Sequence, residues 1–401
     1  MTDLSVLSAD DVVTRIPTGA RIVASPACGA PTTLLGALAH AADGRDWTLL
    51  TGLVFEPQAL VDAVLAGTLT WHTWHPTAPC APVLGHGRFG YIPLRASQVP
   101  KYLATAGVDA ALVRVTPPDR GGWCSVGPSA SYPMAALEHA RLRVAEVDPT
   151  VPRTWGQTMV HVSHLDVLVE SATPMPVYEA SGPDEVSRGI ARHLIDLLPP
   201  EPVFQLGIGR VPEALVHELG EQRIGGLRFV GMGSDGMVDL AEKGLLGLGL
   251  GGDPAISAPD LLGTARLMEF ADDNPSVGVY PSTIAQSPPL LSRRHRLVSV
   301  NSALEVDLEG QVNAEMIGGK RMSGVGGSYD FAEAATHSAG GLRVIAVPSK
   351  RIVRRLGEGS TVTVPRALVD VVVTEKGSVR LEGLTERERE KALRGIGGEG
   401  L

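Results

Sequence analysis

Aromatic side chains are scarce in this chain, at 4% of 401 residues. Cysteine is scarcer still: Cys28, Cys80 and Cys124 stand far apart and are odd in number. That excludes a disulfide framework and fits no zinc pattern, so a reducing cytoplasm is the expected compartment. No run of about 18 apolar residues occurs, so no membrane-crossing helix is expected. The start, Met1-Thr2-Asp3-Leu4-Ser5, lacks a basic stretch followed by an apolar one, and no signal peptide is read there. Positive charge is not in excess either. A formal net charge of −9 argues against general nucleic-acid binding. It leaves room for an anionic small molecule, because local arginine and lysine offset the global field.

Glycine and proline are plentiful, at 47 and 30 residues, and 44% of the chain is hydrophobic. This composition suggests a loop-rich α/β protein, and the length is comfortable for two domains. Ordered along the chain, apolar runs alternate with glycine turns and helical patterns. Residues 7–16 read as a short amphipathic helix with Ser8 or Asp10 as cap. Arg21–Ser25 and Thr48–Val54 read as strands, with a glycine loop and a helix from Cys28 to Leu38 between them. Ala110–Val115 and Arg143–Val147 are further strands. Residues 172–184 are rich in proline and small residues and form the best linker. A helix follows over about 184–198, ended by Pro199-Pro200. The second half opens with a buried strand, Val203–Leu206, that runs into Gly207-Ile208-Gly209-Arg210-Val211-Pro212 and a helix. A helix N-terminus of this kind suits a phosphate or carboxylate. The third glycine of a dinucleotide fingerprint is absent.

Leu297–Phe331 is the most informative stretch. Leu297–Val300 is an apolar strand, residues 305–312 read as a hairpin, and Ser323-Gly324-Val325-Gly326-Gly327 opens a helix. Three glycines in four residues let backbone N–H groups approach a ligand, although plain turns also look like this. The words Val300-Asn301-Ser302-Ala303-Leu304-Glu305-Val306-Asp307-Leu308, Gly310-Gln311-Val312 and Ser323-Gly324-Val325-Gly326-Gly327 with Asp330-Phe331 closely resemble the acetyl-CoA hydrolase/transferase family. Tyr91-Ile92-Pro93, the run from Val115 to Ser125, Phe270–Pro275, Val344–Ser349 and Val372–Glu375 extend the resemblance over nearly the whole chain. It implies an α/β fold of two CoA-transferase-type domains, residues 1–180 and 181–401, with an interdomain active cleft. It also implies a homodimer, and an acyl thioester and an acceptor as partners. Coenzyme A or acyl-CoA would be the substrate, with no metal. Carried over position by position, coenzyme A would be contacted by Gly207, Ile208, Gly209, Arg210 and Val211 and by Ser323, Gly324, Gly326 and Gly327. Gly326→Val is expected to fill the ligand's space.

One departure bears on chemistry. The family carries a nucleophilic glutamate three residues before its serine-aspartate-glycine run, here Ser234-Asp235-Gly236. This chain has Gly231 at that position, so a glutamyl-CoA intermediate is not expected there. The converse substitution, Gly231→Glu, is expected to restore slow CoA exchange where the rest of the site is intact. Lys350 stands in for a lysine of a longer family loop, Lys376 replaces a tyrosine, and a glycine-rich tail replaces a histidine-proline end. Candidate catalytic residues are therefore Gly231, Ser234, Asp235, His161 and Cys80. His161, at a strand end, either lines the site or is a hydrogen-bonded structural histidine. The part between Trp71 and Gly90, with His72, Trp74, His75, Cys80 and His86, matches the family poorly. Its Cys80 is either a nucleophile with His75 or His86 as base, or a buried inert thiol.

Overall fold

Apolar β-branched runs become strands here, and the glycine turns at their ends become helix starts. The computed structural model describes residues 6–248, 252–399 and 401. The first five residues, where no signal peptide is read, and Gly400 of the tail lie outside the described residues. The chain divides into two units: Met1–Tyr178 with Pro259–Thr283, and Glu179–Ala258 with Ile284–Leu401. Residues 171–184, which include the expected linker, carry neither helix nor strand. Asp184 closes that stretch by capping the next helix, α2 (Glu185–Ile195), through the Ser187 N–H at 2.9 Å.

The first unit is built on eight strands: β1 (Val6–Leu7), β2 (Arg21–Ala24), β3 (Thr48–Thr51), β4 (Thr70–Thr73), β5 (Phe89–Tyr91), β6 (Ala110–Val115), β7 (Leu142–Val147) and β8 (Val167–Glu170). They lie in the order β1-β8-β7-β6-β2-β3-β4-β5, every neighbouring pair parallel. The order reverses between β2 and β6. The stretch that matches the family poorly lies in the last two strands, Thr70–Thr73 and Phe89–Tyr91, and between them. Thr70-Trp71-His72-Thr73 alternates at the strand period, Trp71 packs edge-on against Phe89 at 5.2 Å, and both Trp71 and Cys80 join the apolar core.

Arg114, fully buried on β6, is the charged centre of this unit. Its guanidinium bonds Glu146 at 2.7 Å, Asp148, the Ala30 carbonyl at 2.9 Å and Thr32 Oγ1 at 2.6 Å. Glu146 in turn accepts the Leu34 N–H at 3.0 Å. It thereby caps α1 (Thr32–His40), whose own N-cap, Pro31, offers no side-chain bond.

Asp260 is another buried acid, and among the described residues no cation pairs with it. The Ser131 N–H and the Ser129 and Ser131 hydroxyls lie beside its carboxyl. Burial pushes the carboxyl up to about 7, with the two serines offsetting part of the shift. A folded-state value above the unfolded one means stability that is full below about pH 4 and is lost as pH rises to about 7. The loss is expected to be on the order of 4 kcal/mol. Urea unfolding of wild type and Asp260→Asn across that range isolates this contribution from those of the other carboxylates. The difference between wild type and Asp260→Asn should follow the same curve, because the amide does not ionise.

The second unit contributes seven strands of one sheet: β9 (Val203–Leu206), β10 (Arg228–Gly231), β11 (Ile256–Ala258), β12 (Leu297–Ser302), β13 (Leu342–Ala346), β14 (Val371–Thr374) and β15 (Gly377–Arg380). The order is β15-β14-β13-β12-β9-β10-β11, parallel except for the β14–β15 hairpin. Chain direction across the sheet switches between β9 and β12, so a crevice opens at their carboxyl ends. Three helices matter there: α3 (Arg210–Glu221), α4 (Asp235–Glu242) and α5 (Ser328–His337). Phe331 of α5 packs with Val203, Val230 and Leu297 in an apolar cluster and so ties α5 to the middle of the sheet.

Candidate active site

The carboxyl ends of β9, β10, β12 and β13 share one edge of the parallel sheet, and β9, β10 and β13 run there into the expected Gly207, Gly231 and Lys350. After β9 the chain turns through Gly207 and Ile208 to Gly209, whose φ of +111° favours glycine. Gly207 is different. Its φ is ordinary, and a Cβ placed on it would meet nothing within 4 Å. Neither packing nor backbone conformation explains its lack of a side chain. Gly209 caps α3 without a side-chain bond, leaving first-turn N–H groups for another acceptor. Val211 and Pro212 are buried in that turn, and Arg210 reaches out to Asp184 at 3.0 Å.

Gly231 ends β10 at φ +96°. A Cβ built there lies 2.9 Å from the Leu206 carbonyl oxygen, 3.2 Å from Gln205 Cγ and 3.6 Å from Phe331 Cζ. The start of the slot is therefore walled by β9 and by α5. The Gln205 carboxamide is buried, and its Oε1 accepts from Ser299 Oγ at 3.0 Å and Asn301 Nδ2 at 3.1 Å on β12. This polar network spans the switch point directly below Gly231. Met232 continues the β9 contact, with its N–H donating to the Leu206 carbonyl at 3.2 Å.

Ser234 caps α4 by position, but its hydroxyl bonds Glu213 instead of the helix. Asp235 is the first residue of α4. Glu213 is the residue that sequence reasoning missed. Burial raises its carboxyl above the usual range; the Ser234 bond lowers it, and Asp235 and Asp239 raise it further. It lines a cavity of ≈ 390 Å³ with Arg188, His217, Asp239 and Lys243. The available signal was its place one turn into the helix that follows Gly207-Ile208-Gly209.

The second glycine loop hangs from a buried acid. The Glu315 carbonyl accepts the Met322 and Ser323 N–H groups at 2.7 and 3.2 Å. Its carboxylate is held by Arg321 and Thr363, each at 2.9 Å. Gly324 is buried, Gly326 has φ +57°, and the Ser328 hydroxyl donates to the Val325 carbonyl at 3.0 Å. A Cβ on Gly327 would lie 2.9 Å from both Gln286 Nε2 and Phe331 Cε2. Phe331 thus touches the positions of both Gly231 and Gly327. The structure brings the Gly207–Val211 turn, Gly231 and the end of the Ser323–Gly327 loop into one neighbourhood. Lys350 follows β13 on a short turn anchored by Glu375, which holds the Ser349 N–H at 2.8 Å and hydroxyl at 2.5 Å. Three of the sequence departures of this half, Lys350, Lys376 and the tail, converge there: Gly398 packs on Lys350 Cα at 3.3 Å from its Cβ position, and Lys376 Nζ donates to the Gly397 carbonyl at 2.9 Å.

His161 and Cys80 belong to the first unit. His161 is held inside a turn, Nε2 against the Gly121 carbonyl at 3.0 Å and Nδ1 against Ser163 Oγ at 2.8 Å, with its ring against Trp123. Both ring nitrogens are engaged, as in a structural histidine. Cys80 is 2% exposed, its Sγ 3.6 Å from Thr77 Oγ1, and His86 Nδ1 accepts the Arg88 N–H instead of facing the thiol. Burial pushes the Cys124 thiol up to about 11, so it stays protonated. Among the described residues, no group of three or more His, Cys, Asp or Glu side chains could hold a metal ion. No helix among them is long and apolar enough to cross a membrane.

Comparison with known proteins agrees with this geometry. The acetyl-CoA hydrolase/transferase N-terminal domain matches residues 4–179, and the C-terminal domain of the same family matches residues 263–397. The 4-hydroxybutyrate coenzyme A transferase of Clostridium kluyveri is 33% identical over 403 residues, covering 97% of this chain and 93% of that protein. The crystal structure of 4-hydroxybutyrate CoA-transferase from Porphyromonas gingivalis superposes with a TM-score of 0.78 at 26% identity, over 98% of this chain and 94% of that one. RipA from Yersinia pestis shares the fold with a TM-score of 0.89 at 24% identity, over 98% and 94% of the two chains. The wording of the glycine loops, the paired α/β units and these matches place the chain in the acetyl-CoA hydrolase/transferase family.

Proposed function

We propose that this protein is an enzyme acting on an acyl-CoA, or a related acyl thioester, without a glutamyl-CoA intermediate. The acyl carbon is attacked by water or by an acceptor, and the CoA thiolate leaves. The observation that carries the reading is Gly231 at the strand end, where the resemblance places a nucleophilic carboxylate. Its neighbours there are Gln205, the Leu206 carbonyl and Phe331. Glycine offers only backbone, so no anhydride or thioester forms at this position.

In this reading Gly207, Ile208, Gly209, Arg210 and Val211 and the loop Ser323, Gly324, Gly326 and Gly327 hold coenzyme A, with Lys350 beside them. Ser234 and Asp235 flank the acyl end; Ser234 acts through Glu213, whose carboxyl, raised by burial, accepts a hydrogen bond from the Ser234 hydroxyl. His161 supports the turn at Gly121, and Cys80 is a packing residue. The protein works as a cytoplasmic homodimer and needs no metal.

Gly207→Ala tests the assignment more cleanly than Gly326→Val. Valine at a φ of +57° is strained whether or not a ligand binds. Alanine at Gly207 meets open space. It is expected to change stability by less than about 0.5 kcal/mol. Its methyl group should nevertheless weaken CoA binding in calorimetry by about ten-fold, the effect of roughly 1.4 kcal/mol. Unchanged CoA affinity in this variant contradicts the assignment.

A further inference from the structure

The second unit also carries basic side chains that its own fold does not use. Met316-Ile317 and Lys320-Arg321 form a small antiparallel hairpin that turns through Gly318 and Gly319 at φ +55° and +74°. The loop after Val353 lies against this turn: a Cβ on Gly359 would sit 3.6 Å from Gly319 Cα, and Thr361 Oγ1 lies 3.1 Å from Met316 Sδ. Lys320 stands on the hairpin, and Arg354 and Arg355 open the loop, all three exposed. Among the described residues their side chains make no hydrogen bond or ion pair. Other arginines nearby are committed: Arg321 to Glu315, Arg343 to Asp370, Arg366 to Glu309. Glu358 is the acid of the same loop. In a chain of net charge −9, unpaired cations on two touching segments form a local positive field against the global one. The hairpin leads directly into the Met322–Gly327 loop. The positive patch and the glycine loop are therefore consecutive.

We propose that Lys320, Arg354 and Arg355 form the subsite for the phosphate groups of the CoA thioester, while the glycine loops receive its thioester end. This rests on the acyl-CoA reading above. The chemistry is complementary: guanidinium forks match phosphate oxygens, and an ammonium adds a point charge. Because the three side chains are exposed, their contribution is screened by salt.

The test compares two probes, acetyl-CoA and acetyl-pantetheine, which carry the same thioester with and without the phosphates. Calorimetry with wild type, Lys320→Ala and the double variant Arg354→Ala/Arg355→Ala is run at low and high salt. Surface substitutions of this kind leave the fold intact, which circular dichroism checks. The double variant is expected to bind acetyl-CoA about ten-fold or more weakly at low salt. That deficit should shrink at high salt, and acetyl-pantetheine binding should not change. Wild-type affinity for acetyl-CoA in the double variant overturns the subsite, as does an equal loss for both probes. If wild type binds neither probe, the acyl-CoA reading itself fails, and this inference fails with it.

Discussion

Arg114→Ala is expected to be the most damaging single substitution in the first unit, at about 3–5 kcal/mol. The guanidinium is fully buried, and so are the carboxylates of Glu146 and Asp148 that it joins. Alanine removes the cation and leaves both acids uncompensated in a dry environment. It also frees the Ala30 carbonyl and Thr32 from their donor, loosening the start of α1. Denaturant unfolding should show the loss as a lower midpoint at unchanged m-value. Arg114→Met combined with Glu146→Gln and Asp148→Asn should recover part of it, because the charges leave together. An unaltered midpoint in Arg114→Ala would mean that this network does not hold the sheet.

Gly231→Ala is expected to cost about 1–3 kcal/mol, because its φ of +96° is a region that L side chains rarely occupy. The added Cβ also approaches the Leu206 carbonyl oxygen to 2.9 Å. Gly207→Ala, with neither problem, is the control. The same geometry bears on Gly231→Glu. Restoring the carboxylate requires a backbone shift at the end of β10 and a path past Gln205 and Phe331. We therefore expect Gly231→Glu to be destabilised like the alanine variant and to show no CoA exchange. Wild-type stability in either variant would show that the strand end has an alternative conformation.

Much of this architecture was legible in the sequence because it is local. The apolar runs Val203–Leu206 and Ala110–Val115 are strands at the expected residues. Ser8 and Asp184 cap their helices, and the residue 305–312 hairpin forms with Gly310 at φ +90°. The last two strands of the first sheet, Thr70–Thr73 and Phe89–Tyr91, were obscured by histidines and tryptophans, whose side chains suggested chemistry and hid a two-residue alternation. Arg114 and Glu146 read only as polar residues in apolar strands, since their pairing joins segments far apart in sequence. Glu213 and Gln205 were silent for the same reason. A carboxylate becomes unusual only when folding buries it beside Ser234, and a carboxamide gains meaning only when β12 brings Ser299 and Asn301 to it. The glycine loops were legible as words, but only the fold distinguishes Gly209, Gly231 and Gly326, which backbone geometry requires, from Gly207, which it does not.

The central claim is that acyl-CoA chemistry proceeds here with no covalent CoA adduct on the protein. Borohydride reduces a glutamyl thioester to an alcohol, so it inactivates and marks an enzyme that forms one. The wild-type protein turning over acetyl-CoA is treated with borohydride, and its mass and that of the peptide spanning residues 229–239 are measured. The account predicts unchanged masses and undiminished turnover; a reduced adduct on any glutamate, with loss of activity, would contradict it.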